Sequence, residues 1–424
     1  MPRLRPRDVR LIYDVQNACG LAFDSIRAHK LRSFLTLLGV IIGVASVILV
    51  GAAISGLGAY AAQSTAKAFG SDSYFIAQIA AAGRMSRRDY FNKLRQNKQI
   101  RREDAAFLED VNGDATLYSP YKQKLADVKR EQATCEDTSI LGVGAAMAAI
   151  RDITVADGRF FTEQEERWRS YVAVIGEEVK TLLFPAGMSP LGHTVKINGI
   201  DFTVIGVLEK LGSAFGRSLD RSIYIPVKAF DRLYGPGDSM AIFARPRPQS
   251  GLSMQESLDE TRGALRARFH TRPGKPDNFD TLTPDAIRGF IDSVLSVIAA
   301  VVIPVTCISL VVGGIVIMNI MLVSVTERTH EIGIRKSLGA RHFDVMLQIL
   351  IEAIMMAVIG GMAGVLLGAA LTEIVSRIFE IRLEITATYV VLALAVSSIV
   401  GIASGWYPAS RAARLDPVAA LRAE

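Results

Sequence analysis

Reactive side chains are scarce in this 424-residue chain, which has three cysteines, five histidines and two tryptophans. Cys19, Cys135 and Cys307 lie far apart and lack metal-ligand spacing. The topology derived below puts them in three compartments, which argues against an intrachain disulfide. No GxxxxGKS or GxxxxGKT occurs, so there is no loop to cradle nucleotide phosphates, and HExxH and GxSxG are missing as well. His193 and His270 are widely separated, and Glu163, Glu165 and Glu166 stand without a nucleophile or a ligand set. Those glutamates read as the solvated start of a helix. The chain is expected to have no catalytic site, metal or cofactor of its own, so any work it does draws on another subunit. The net charge of +6 is mild. Its basic residues gather beside apolar runs, which fits a membrane better than nucleic acid.

Charge is what four long stretches lack, although half of all residues are hydrophobic. Residues 34–66, 293–326 and 386–406 have no Asp, Glu, Lys or Arg, and 345–372 has one, Glu352. Each run reaches the ~20 residues that a helix needs to cross a bilayer. The expected fold is an α-helical membrane protein with four transmembrane helices and a large α/β (α+β) extracytoplasmic domain between the first and second. The expected segments are a basic amphipathic interfacial helix at 1–33, then the first span and stalk at 34–66. The outer domain covers 67–283, and a stalk with the second span covers 284–326. A polar loop at 327–344, the third span at 345–371, an outer connector at 372–385, the fourth span at 386–406 and a tail at 407–424 complete the chain. Ala59-Tyr60-Ala61 is like a signal-peptidase site, yet the apolar run far exceeds an h-region of about 7–15 residues, so an uncleaved anchor is expected.

Orientation follows from Lys and Arg in the short segments: seven in 1–33, four in 327–344 and three in the tail, against two in 372–385. Both termini and the 327–344 loop therefore face the cytoplasm. Residues 84–102, with eight basic residues and Asp89 as their one acid, lie outside. Short β-branched strands are expected at Ser139–Val143, Tyr171–Ile175, Thr194–Ile197, Phe202–Val207 and Ile223–Ile225, with Asn198-Gly199 as a hairpin turn. A weaker strand is expected within Tyr74–Ala80, and helices at Glu177–Leu183, Val227–Tyr234 and Leu252–Phe269.

Thr283-Pro284-Asp285 starts a helix. Continued to Thr326, that helix is about 64 Å long at ~1.5 Å per residue, against a hydrocarbon core of ~30 Å. A third or more must stand outside the membrane, with a kink expected at Pro304. The first span overruns similarly unless Gly56 and Gly58 break it. Gly39 and Gly43, and Gly360, Gly364 and Gly368, recur at four-residue spacing and mark faces for close helix packing. Glu352, an acid within a span, is expected to snorkel or to pair with Arg335 or Lys336.

The loop TERTHEIGIRKSLGA reads as a short helix with Arg328, Glu331, Ile332, Arg335 and Leu338 on one stripe and a stop at Gly339. A solvated connector fits that spacing. So does a docking helix on which another protein pushes.

Several motifs resemble one family. ERTHEIGIRKSLGA (Glu327–Ala340) is similar to the coupling loop of MacB/FtsX-type ABC transporter permeases. RAHKLRSFLTLLGVIIGVASVI (Arg27–Ile48) is similar to their opening segment, and YPASRAARLDPVAALR (Tyr407–Arg422) to their C-terminal signature. DGRFFTEQE (Asp157–Glu165), VAVIGEEVKTLLFP (Val172–Pro185) and PLGHTVKINGIDFTVIGVLEK (Pro190–Lys210) resemble the MacB periplasmic core domain. The resemblance implies a permease in the bacterial inner membrane that works as a homodimer or with a similar permease. Two copies of a cytoplasmic ABC ATPase would bind the ATP and magnesium, and a periplasmic membrane-fusion protein is a further implied partner. In MacB the ATPase domain is fused; here it is expected on a separate polypeptide. The coupling residues implied are Glu327, Arg328, Glu331, Ile332, Gly333, Arg335, Lys336, Gly339 and Ala340. The expected function is mechanotransmission of ATP-driven motion to the periplasmic domain, for efflux or extraction of a hydrophobic substrate. The alternative is an FtsX-like regulator of a cell-wall hydrolase that transports nothing.

Overall fold

The computed structural model describes residues 30–422 apart from 71, 186, 215, 238 and 380–382. The interfacial helix expected at 1–33 lies almost wholly outside the described residues. Four helices are long and apolar enough to cross a membrane. With two short helices near the C-terminus they are numbered α1 (Lys30–Phe69), α2 (Pro284–Glu327), α3 (Thr329–Ser337), α4 (His342–Phe379), α5 (Ala387–Ala413) and α6 (Pro417–Arg422). The chain divides into two compact units, one of residues 61–293 and one of the residues on either side. α1 and α2 each contribute residues to both.

All four long helices overrun the spans read from hydropathy, because helix hydrogen bonding continues after the apolar run ends. α1 is unbroken through Gly56 and Gly58, so it overruns as α2 does. α2 has 44 residues, about 66 Å at ~1.5 Å each, with Pro304 inside it. Its start is capped as the sequence implied: Thr283 Oγ1 accepts from Ala286 N at 3.2 Å. α4 runs on to Phe379, so the outer connector is shorter than 372–385.

The membrane-spanning unit is held together by small residues. A Cβ on Gly39 would lie 2.8 Å from Gly313 Cα, and one on Gly43 would lie 2.7 Å from the Leu310 side chain, so α1 and α2 meet almost backbone to backbone. Gly360, Gly364 and Gly368 of α4 receive Val40, Val44 and Ile48 of α1 in turn, all three fully buried. Small faces of this kind let dispersion act over many contacts where no hydrophobic driving force exists between helices in lipid. α4 and α5 use the same device through Gly401 and Gly405, which pack against Ala357 and Ala353, while Ser397 Oγ donates to the Ala357 carbonyl at 2.5 Å.

The outer unit is built on one mixed sheet of ten strands: β1 (Tyr74–Ala77), β2 (Thr116–Arg130), β3 (Ala133–Val143), β4 (Val155–Gly158), β5 (Val172–Ile175), β6 (Thr194–Ile197), β7 (Ile200–Leu208), β8 (Ser222–Pro226), β9 (Ala241–Pro246) and β10 (Asp280–Leu282). Its order is β10-β1-β9-β2-β3-β8-β5-β7-β4, with β6 joined to both β2 and β7. Only the β3–β8 and β5–β7 pairs are parallel. Asn198 and Gly199 turn β6 into β7 with φ of 47° and 83°, the positive values that the tightest hairpins need.

Two cores of this sheet each pack against a pair of helices, and a third gathers Leu141, Val143, Met147, Ile150, Val174 and Tyr224. Leu108, Tyr118, Ile242, Leu258 and Leu265 form one with helices Arg102–Asn112 and Met254–Arg268. Ile140, Ile175, Val179, Phe202 and Ile223 form the other with helices Glu177–Leu183 and Val227–Tyr234. Tyr74 Oη, buried in the first core, bonds to Ser257 Oγ at 2.8 Å and Thr261 Oγ1 at 2.7 Å, and burial raises its phenol pKa. Cys135 is buried, so it offers no outside thiol label for topology.

Candidate functional site

The loop between the second and third spans is a helix with its own stops. Arg328, at φ −102° and ψ 19°, breaks α2 from α3. At the other end Gly339 has φ +97°, and its N–H donates to Lys336 O at 3.1 Å while Ala340 N donates to Arg335 O at 3.1 Å. Those two bonds are the Schellman ending, which favours glycine at the left-handed position. Asp344 then caps the next helix by accepting from Arg341 N at 3.0 Å.

α3 has two faces. Ile332 and Gly333 are buried, and Ile332 joins Met321, Val325, Val345 and Ile349 in the core of the spanning unit. Ile332 is thus buried, while Glu331, Arg335 and Leu338 of the same helical stripe are exposed. Lys336 is anchored inward too: its Nζ donates to the Ala413 and Leu415 carbonyls, each at 2.6 Å. Those carbonyls lie at the C-terminus of α5, where a cation is favoured. His342 Nδ1 also meets the Ala413 carbonyl. Glu331 and Arg335 are exposed, as is Glu327. Between them stand large apolar side chains in solvent: Ile334, Leu338 at 83% exposure, and Phe343 just past the turn at 61%. Phe343 and Ile334 escaped sequence reading because single apolar residues within a charged loop carry no periodic signal.

Glu352 is 7% exposed and is paired, but with neither Arg335 nor Lys336. Arg328 Nη1 donates to its two oxygens at 3.3 and 3.4 Å. Arg335 instead donates to Gln348 at 2.7 Å. The start of α3 brings Arg328, not Arg335, over Glu352, about three turns into α4, and helical spacing alone could not choose between them. These groups surround a cavity of about 190 Å³ that is also lined by Ser324 and Glu331. The joint between α2 and α3 is thus tied to α4 by one ion pair, and the end of α3 is tied to α5 by Lys336.

The glutamates of the outer unit are occupied structurally. Glu165 closes a capping box with Thr162 and takes both terminal nitrogens of Arg159 at 2.7 Å, which lowers its pKa to about 2. Glu166 accepts from Ala145 N at 2.8 Å, and burial holds its carboxyl above the usual range. Among the described residues no group of three or more His, Cys, Asp or Glu is placed to hold a metal ion.

Two families match along the chain: "MacB-like periplasmic core domain" over residues 33–266, and "FtsX-like permease C-terminal" over residues 303–417. The chain is 35% identical over 407 residues to a macrolide export ATP-binding/permease protein MacB of Bdellovibrio bacteriovorus, covering 95% of this chain and 61% of that protein. It is 33% identical over 415 residues to a MacB of Acinetobacter baylyi, covering 97% of this chain and 60% of that one. The chain therefore spans about three fifths of the length of these curated relatives. A crystal structure of the periplasmic region of MacB from Actinobacillus actinomycetemcomitans aligns with TM-score 0.42 and 18% identity, over 54% of this chain and 95% of that one. The first family covers more than half of the chain and the second takes in its last three spans and the α3 loop, so the chain belongs to the MacB/FtsX-type ABC transporter permeases.

Proposed function

We propose that this chain couples ATP hydrolysis by a cytoplasmic ABC ATPase to movement of its periplasmic domain, driving efflux or extraction of a hydrophobic substrate. The ATPase docks on α3 and holds the ATP and magnesium. The observation that carries this reading is the division of α3 into an anchored face (Ile332, Gly333, Lys336) and a solvent face bearing Ile334, Leu338 and the neighbouring Phe343. A loop that merely connects two spans gains nothing from three large apolar side chains in water, whereas a docking helix buries them. A push on α3 reaches α2 through Arg328 and α4 through Glu352. α1 and α2 then carry it, since each is one uninterrupted helix with residues in both units. The outward apolar side chains of α2, among them Val297, Val301 and Ile308 at 63–64% exposure, are in keeping with a second permease copy beside it. Homologues named for macrolide export support transport as the output, and a membrane-fusion protein is the outer partner of this reading.

The test is reconstitution in vesicles with the ATPase. Leu338→Asp and Phe343→Ala should leave the melting temperature unchanged, since both side chains are exposed, and should abolish permease-dependent ATPase stimulation. Full stimulation by Leu338→Asp would rule the docking face out.

A further inference from the structure

The sheet of the outer unit is missing a strand. β9 pairs with β2 from Thr116 to Tyr121, and β6 pairs with it at Val128 and Lys129. β3 is paired with β2 at Tyr121, Val128 and Lys129 as well, so β9 and β6 share the opposite edge of β2. Between them, Lys122–Asp127 has no strand on that edge among the described residues. Gln123–Leu125 and Asp127 are exposed, Leu125 at 55%. Backbone groups that point away from β3 here are open to another chain.

A cavity of about 630 Å³ lies at the Lys122–Lys124 end of this gap. Successive residues of a strand point to opposite faces, yet the cavity is lined by Tyr121 and Gln123 from one face and by Lys122 and Lys124 from the other. It therefore passes through the plane of the sheet, at the place a strand would occupy. Its wall on the Tyr121 side is aromatic, with Phe75 6.1 Å from the Tyr121 ring. Tyr90 and Leu94 of helix Arg87–Gln96 also line it, and that helix buries none of its residues. The surrounding charge is basic. Arg87, Arg88 and Arg95 are exposed on the helix, and Lys124 stands 5.5 Å over the Tyr234 ring. Lys122 and Lys93 are already paired with Asp231 and Asp280 at 2.7 Å.

We propose that this gap is a strand-addition site for an extended acidic segment of a partner protein. The segment hydrogen-bonds to the open edge of β2 and spans about six residues, roughly 20 Å at ~3.3 Å each. Alternate side chains meet different surroundings: apolar ones face Phe75 and Tyr121, acidic ones face Lys124. The basic helix of residues 87–96 becomes the electrostatic rim that draws the segment in. Lysines and a bulge also occur on edges that exist to repel strands, and β2 has its bulge between Ala126 and Val128. Only binding separates an edge that accepts a strand from one that refuses it. This inference rests on the outer unit alone and is independent of ATPase docking.

The experiment uses the full chain in detergent micelles and a fluorescein-labelled, acetylated hexapeptide of alternating valine and glutamate. Fluorescence anisotropy reads binding, and hydrogen exchange with mass spectrometry reads the strand. Saturable binding is expected, with slowed exchange at Lys122–Asp127. Lys124→Glu should weaken binding about tenfold, the size of one charged contact. The same peptide with alternate backbone amides N-methylated should lose at least about tenfold, because strand pairing needs those donors. Equal binding of the N-methylated peptide, unchanged exchange at Lys122–Asp127, or absence of saturable binding would each overturn the proposal. Equal binding of a valine–lysine peptide would overturn its acidic character.

Discussion

Gly364→Ala tests whether the glycine stripe of α4 sets its distance from α1. The added Cβ would lie 2.7 Å from Val44 Cβ and 2.9 Å from both Val44 Cγ1 and the Ile41 carbonyl. Carbon contacts settle at about 3.5–4.0 Å, so α1 and α4 must part by about 1 Å along a seam that also seats Val40 and Ile48. Overpacking of this kind costs about 1–3 kcal/mol. Alanine in place of glycine returns about 1 kcal/mol of helix propensity. The net expectation is a loss of about 0–2 kcal/mol, and more for Gly364→Val. Gly360→Ala is the milder comparison, because its nearest neighbours are the flexible Leu37 Cδ2 at 3.1 Å and Val40 Cβ and Cγ1, each at 3.3 Å. There the propensity gain should dominate, leaving stability unchanged or raised by up to about 1 kcal/mol. Unfolding by SDS titration from mixed micelles ranks the variants. The expected order of stability is Gly360→Ala at or above wild type, then Gly364→Ala, then Gly364→Val. If Gly364→Ala proves as stable as Gly360→Ala, the seam is looser than the geometry states and the argument fails.

Two further outcomes follow from the same contacts. Lys336→Met removes the Nζ that donates to both the Ala413 and Leu415 carbonyls; it should cost about 1–2 kcal/mol for a half-buried charged donor and speed proteolysis after α5, and unchanged cleavage would show that α3 is not held there. Glu165 has its pKa lowered from 4.5 to about 2, chiefly by its hydrogen bonds to Arg159. A depressed carboxyl stabilises the fold above its unfolded pKa and loses that contribution as pH falls through the folded value. Wild type should therefore lose more stability than Glu165→Gln between pH 4.5 and about 2, read by circular dichroism melting, and identical pH profiles would refute the pairing.

The spans, the large outer domain, the Asn198-Gly199 hairpin and the helices Glu177–Leu183 and Val227–Tyr234 were legible because each rests on local rules: apolar length, turn chemistry and periodicity. β2, the longest strand, was not legible. Lys122, Gln123, Lys124 and Asp127 break its alternation, and while β3 follows it directly, its partners on the other edge, β9 and β6, come from distant parts of the chain. The loop helix was readable as a helix with a stop at Gly339, and the four-residue glycine spacing marked faces for packing. Which side of α3 faces inward, which helix receives each glycine, and that Arg328 rather than Arg335 neutralises Glu352 are different matters. They depend on how helices far apart in sequence approach one another. Periodicity places a side chain on a face of its own helix, and only the packed structure says what that face meets.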